Sequence, residues 1–314
     1  STIHDAVNAA IDGDTLLVST GRYAPDWISM SAKRLQILGG WTHDFSAQLP
    51  VNSVVGGVSY VAGVGGCTCL LQRLTLTGVS AGFGLQGNSG AIITCSYCTI
   101  THITNHNYGA GVRALSGARI VLERTAVQYN VTTNPASAEG AGIHVSGGSV
   151  EVGDGCNIMY NSSASRGGGV YVSAGAVNVF GLTDISYNDA VEGGGVHARN
   201  GATVTIHGNA DVRGNTAGSD GGGVYLAEAT LLAYDSSTYV GYPYAANGRN
   251  VATNNGGNVY AVNATVIISN GAAIANGLAL NYGGGAYLST STLVLVHNGS
   301  IGSYNGTYQT NEAE

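Results

Sequence analysis

The sequence predicts an all-β fold, a single-stranded parallel β-helix of about ten turns closed at its N-terminal end by a short helix. Three observations carry that expectation. Glycine clusters recur with starts at Gly56, Gly82, Gly109, Gly140, Gly167, Gly193, Gly221, Gly256 and Gly283, in steps of 26, 27, 31, 27, 26, 28, 35 and 27 residues. A period in this range marks a repeat architecture. Short apolar segments rich in β-branched residues recur at fixed offsets inside each unit, and no helical periodicity interrupts them. Composition agrees: 50 glycines, 4 prolines and 9% charged residues are far from an ordinary enzyme, and glycine without a three-residue period excludes a collagen-like helix. With 44% apolar residues and a net charge of −7, the chain has enough surface to bury to fold.

The helix comes first. Thr2 can cap it, Ile3, Ala6, Val7, Ala10 and Ile11 fall on one face, and Gly13 ends it. Such a helix would lie across the first turn as a plug over an otherwise exposed strand edge. In each repeat unit the first strand follows the glycine cluster, as in GGGVYV from Gly167 to Val172. The second opens on a small residue eight positions after the first glycine, as in GAIITC (from Gly90), GARIVL (Gly117), GAVNVF (Gly175), GATVTI (Gly201) and STLVLV (Ser291). The third recurs as VQYN (Val127 to Asn130), IMYN (Ile158 to Asn161), ISYN (Ile185 to Asn188) and VRGN (Val212 to Asn215). Three strands per unit with no returning helix stack each turn about 4.8 Å from the last, giving a rod roughly 50 Å long.

The longer steps localise insertions, TTNPASAE (Thr132 to Glu139) and SSTYVGYPYAANGRN (Ser236 to Asn250), expected to leave the rod at a corner. One domain over 1–314 follows: a cap helix at 1–13, irregular first turns at 14–55, repeat turns at 56–310 and a polar tail at 311–314. The C-terminal stretch Ser300 to Glu314 offers no plug of its own. A solenoid needs a polar or covered cap, so continuation into a further domain, capping by the tail and docking on another subunit stay open. Head-to-tail docking can generate a filament.

Several partner classes are excluded. Lys33 is the only lysine and the ten arginines are scattered, so the basic stripe that nucleic acid requires is missing. No apolar run approaches the roughly 20 residues of a membrane-spanning helix. The chain begins at Ser1 without Met or a signal-peptide core, which points to a processed or truncated chain.

The pairing of [Ile/Val]-x-x-Asn with Gly-Gly-[Gly/Ala]-[Val/Ile] resembles the repeats of chlamydial polymorphic outer-membrane proteins. The stretches TIHDAVNAAIDGDTLLVSTGRY (Thr2 to Tyr23) and ILGGWTHDFS (Ile37 to Ser46) resemble the opening of secreted right-handed parallel β-helix proteins of the pectate-lyase-like superfamily. The resemblance implies a right-handed, exported β-helix. It does not assign chemistry, because that superfamily includes lyases, hydrolases, epimerases, adhesins and surface-layer components.

For chemistry, the GGG triplet lacks the following lysine and helix N-terminus of a phosphate loop, and its repetition marks it as a corner. Asp184 and Asp211 each lie four residues before a recurring asparagine (Asn188, Asn215), with Asn157 at the same place one turn earlier. Such stacked carboxylates either share a proton, bind a cation or face water, and Arg213 is the nearest basic residue. The triad is the one catalytic alternative, and no pectate-lyase-like active site can be carried over to any position here. His144, Tyr171, His197, Tyr225, Tyr260 and Tyr287 occupy the outward position of the first strand and form a ring ladder, either a stabilising stack or a contact surface for glycan or protein. Tyr129, Tyr160, Tyr187 and Tyr304 form a second set, and Asn130, Asn161, Asn188 and Asn215 read as an inward hydrogen-bonded ladder. Cys69 and Cys95, both at offset 13 from their glycine starts, are expected to stack and form a disulfide; a zinc site with Cys67 and Cys98, or free buried thiols, are the alternatives. Among five N-x-[ST] sequons, Asn263, Asn298 and Asn305 lie outside the inward ladder and are open to glycosylation. No cofactor or metal is called for. The expected function is an extracellular structural or adhesive surface protein that self-associates; the alternative is a polysaccharide lyase, hydrolase or glycan-binding rod.

Overall fold

A computed structural model describes residues 2–23, 27–56, 60–78, 82–244, 248–302 and 312–313. The chain winds as an all-β, right-handed parallel solenoid behind one short helix. Each turn lays strands in four sheets. In the turn beginning at Gly167, Val170–Ser173 belongs to sheet I, Ala176–Val179 to sheet II, Asp184–Ser186 to sheet III and Asp189–Ala190 to sheet IV. Along the rod these sheets hold 10, 11, 11 and 8 strands, respectively. The fourth sheet is the first departure from expectation. Most of its strands are only two residues long, such as Ser162–Ser163 and Thr216–Ala217, too short for a period-2 pattern to register in the sequence.

Alternation fills the core. Val170, Val172, Val179 and Ile185 have no exposed surface and Val177 only 1%, each contributing roughly 1.5–3 kcal/mol by burial. The turns stack in exact pairwise register through this region, as in Val177 with Val204 and then Leu231. Two glycines of the Gly167–Gly169 triplet have different reasons. Gly167 takes the left-handed backbone (φ +60°) that turns the corner, whereas a Cβ on Gly169 would lie 2.6 Å from the carbonyl of Gly195 in the next turn.

Helix α1, Ile3–Ala9, covers the first turn. Thr2 and Asp5 form a reciprocal capping box, and Ile3 and Val7 face the core. The sole lysine closes its other end: Lys33 Nζ donates to the carbonyls of Val7 (3.1 Å), Asn8 (3.3 Å) and Ala10 (2.8 Å), placing a cation where the helix dipole is negative. Ile11, expected on the apolar face, is 71% exposed because the helix stops before it.

Both insertions sit between sheets III and IV or between IV and I. Within the second, Tyr239–Val240 remains a buried strand of sheet III, so the excursion starts only at Gly241.

The expected Cys69–Cys95 disulfide is corrected by the register. Cys69 pairs with Ile93 and Cys95 with Leu71, and all five cysteines are free, buried thiols. The equal offsets do not stack because Gly56 belongs to a strand of sheet III, opposite Thr77, and not to a corner. The step from that turn to the next is 24 residues at the cysteine strand, not 26.

Candidate functional site

The outward position of sheet I builds a continuous column, Gln86, Arg113, His144, Tyr171, His197, Tyr225, Tyr260 and Tyr287. From His144 onward the rings stack at centroid distances of 5.3, 5.3, 4.6, 4.9 and 5.3 Å, with interplanar angles of 20° or less. The expected ladder is present as geometry, yet His144, Tyr171 and His197 are only 5%, 4% and 2% exposed. They therefore do not form a free surface. A second column covers them: Tyr108, Glu139, Arg166 and Glu192, the residues immediately before each glycine corner, bridge turn to turn in parallel register. That column is legible in the sequence as the position preceding each glycine start, but it lacks the shared residue type that marks the rings.

This cover is charged. Arg166 sits 3.4 Å from both Glu139 and Glu192, while His144 and His197 each direct Nε2 to one of these carboxylates at 3.5 Å. Burial holds both histidines below their usual range, against the opposing pull of Glu139 and Glu192. Burial likewise pushes Tyr171 up to about 12, with Glu139 adding to it. The cluster is thus two imidazoles, pressed toward the neutral form by burial, set against an acid–arginine–acid row.

A second stack runs along the corner between sheets III and IV: His102, Tyr129, Tyr160 and Tyr187, with centroids 5.2, 5.1 and 5.4 Å apart. Tyr129 and Tyr160 are each 44% exposed. Because the rings cover one another's faces, this stripe presents edges and hydroxyls rather than flat platforms. Tyr304 lies outside the described residues. A third stack, Phe180, His207 and Tyr234, runs along sheet II and has no sequence signal beyond the recurrence of rings at one register.

The carboxylates do meet. Asp184 and Asp211 are direct register partners, with Asn157 paired to Asp184 on the other side. Arg213 commits to Asp184 in a bidentate pair, Nε to Oδ1 at 3.0 Å and Nη2 to Oδ2 at 2.7 Å, and its guanidinium lies over the Tyr242 ring at 5.2 Å. Among the described residues Asp211 accepts from a backbone donor alone, Tyr239 N, at 3.2 Å. Burial, reinforced by the Asp184 charge, pushes its carboxyl up to about 7. Leu182, Asn209 and Tyr242 complete a depression of about 250 Å³ around these groups.

The linkage consequence has a definite sign. A carboxyl that holds its proton more tightly when folded costs stability as pH rises from about 4 to about 7, and the loss then levels off. Asp211→Asn is therefore expected to raise unfolding free energy by up to roughly 4 kcal/mol at pH 8 and by almost nothing at pH 4. Urea denaturation at the two pH values measures this.

The sequons divide by burial. Asn130 and Asn161 are 0% and 1% exposed and inside the asparagine ladder, Asn263 and Asn298 lie at the surface, and Asn305 lies outside the described residues. Among the described residues no cluster of His, Cys, Asp and Glu is arranged to hold a metal. No protein-family model, curated protein or solved structure matches this chain.

Proposed function

We propose that the protein is an extracellular structural or adhesive rod of the pectate-lyase-like kind, with repeats like those of chlamydial polymorphic outer-membrane proteins, that self-associates through its C-terminal turn. One observation carries the reading: among the described residues, the core columns are less deeply buried in the last turn. In the column Val177, Val204, Leu231, Val266 the side chains are 0–1% exposed, but Leu293, the next in register, is only partly buried. Leu295 occupies the register of the fully buried Ile268 and is 45% exposed; Leu288 and Ile301 follow the same trend. A second copy seated on this turn would bury those residues and satisfy the strand edges. Head-to-tail docking on this turn would extend the rod into filaments or arrays.

Light scattering over a wide concentration range tests the proposal. The protein is expected to associate reversibly, and Leu293→Lys to remain monomeric with an unchanged circular-dichroism spectrum. A strictly monomeric wild type would sink the reading.

A second reading rests on Asp211. A carboxyl titrating near neutrality beside a fixed guanidinium suits general acid–base work, and a polysaccharide lyase or hydrolase acting at Asp184, Asp211 and Arg213 would use it. Unsaturated or reducing-end products from uronate-containing glycans, lost in Asp211→Asn, would support that reading over the structural one.

A further inference from the structure

At the head of the ring column stands Arg113, whose guanidinium has neither a hydrogen bond nor an ion pair among the described residues. By contrast, Arg34, Arg119, Arg166 and Arg213 all reach carboxylates. Arg113 is half-buried, its stem packs against Gly109, and its guanidinium lies 5.0 Å from the centroid of the Phe83 ring. The Nε–H is buried without an acceptor, and the neighbouring His144, a side chain only 5% exposed, turns its Nε2 to Glu139 rather than to the cleft. Leaving a partly desolvated cation without a counter-charge is costly. The cost is offset when a ligand supplies the missing charge.

The space for one is present. Tyr108, Arg113, Leu115, Glu139, Ser146 and Tyr171 are among the residues that line a cleft of about 350 Å³, room for a molecule the size of an amino acid or a single sugar. The charge of the cleft limits the ligand. Glu139 lines the same wall, and although Arg166 at 3.4 Å offsets it, a second negative charge on the ligand would meet it. Phe83 covers one side of the guanidinium and the buried Nε removes the side-on approach, which leaves the two Nη groups for an end-on, two-bond contact. Tyr108, Ser146 and Ser173 line the same cleft and offer hydroxyls for the rest of the molecule.

We propose that the cleft over Arg113 is a binding site for a small carboxylate carrying a single negative charge. The site is separate from the C-terminal turn and from Asp211, and neither reading above depends on it.

Titration of the full chain with acetate, lactate and sulfate at matched ionic strength, followed through the arginine Nε–H resonances, tests it. Acetate and lactate are expected to shift the Arg113 resonance saturably, with dissociation constants on the order of millimolar and lactate the tighter because its hydroxyl adds a contact. Arg113→Lys, which keeps the charge but loses the planar fork, is expected to weaken binding about tenfold. Arg34→Gln, at the Asp12 pair, should leave it unchanged. No saturable shift with either carboxylate, equal response to sulfate, or wild-type affinity in Arg113→Lys would overturn the proposal.

Discussion

Asn188→Ala is expected to destabilise the protein by about 3–4 kcal/mol, a large effect for removing one amide. Asn188 is 1% exposed and every hydrogen-bonding valence of its side chain is used. Its Oδ1 accepts from both the backbone N and Nδ2 of Asn161, each at 3.0 Å. Its Nδ2 donates to the Ile158 carbonyl at 2.8 Å and to Asn215 Oδ1 at 3.1 Å. The same unit repeats from Asn130 through Asn161, Asn188, Asn215 and Asn250 to Asn258. Truncation leaves two buried donors of Asn161 without an acceptor, and that unmet desolvation sets the magnitude. Asn188→Asp separates hydrogen bonding from shape. It keeps the acceptor for Asn161 but turns an oxygen toward the Ile158 carbonyl and Asn215 Oδ1, so it should cost at least as much at pH 7. Its penalty should shrink as the pH falls and the new carboxyl protonates, because a raised folded-state pKa contributes stability on the acid side. Urea denaturation at pH 4 and pH 7, with hydrogen exchange at the adjacent turns, reads both effects; an alanine variant as stable as wild type would refute the ladder as a source of stability.

The second large effect comes from adding a single methyl group. Gly169→Ala is expected to cost about 3 kcal/mol. The new Cβ would meet Gly195 O at 2.6 Å, Asn188 Nδ2 at 2.8 Å and Ile185 Cγ2 at 3.0 Å. None can retreat easily, since Gly195 O already accepts from Val170 N at 2.9 Å and Asn188 is locked in its ladder. Gly201→Ala is the matched comparison. Its backbone is left-handed (φ +76°) with nothing within 4 Å of the added carbon, so only the conformational penalty of about 1 kcal/mol applies. Thermal or urea unfolding of the two variants distinguishes them; equal losses would show that steric closeness of the turns is not what requires the triplet.

Much of this was legible before any coordinates. The recurrence of glycine clusters defined the turn, alternation within VYV and VNV defined which side chains enter the core, and the spacing of Asn130, Asn161, Asn188 and Asn215 defined a ladder whose bonds the structure supplies. The stacking of His144 through Tyr287 and the pairing of Asp184 with Asp211 were equally matters of counting residues per turn. The cysteine pairing failed by the same arithmetic, because one glycine of the early, irregular turns was assigned to a corner when it belongs to a strand.

Covalent periodicity alone therefore determined the solenoid, its core and its columns, since identical offsets in successive turns must stack when every turn has the same length. What lies over those columns was decided by tertiary packing. Whether a ring that leaves the core reaches water depends on how the preceding corner folds back, and here Glu139, Arg166 and Glu192 bury three of the six. Which acid an arginine chooses depends on rotamers across the turn: Arg213 took Asp184, leaving Asp211 to hold its proton to about pH 7. Arg113 forms no ion pair among the described residues, and a cleft lies beside it. Period is a property of the chain, but cover, pairing and vacancy arise only where separate turns compete for the same space.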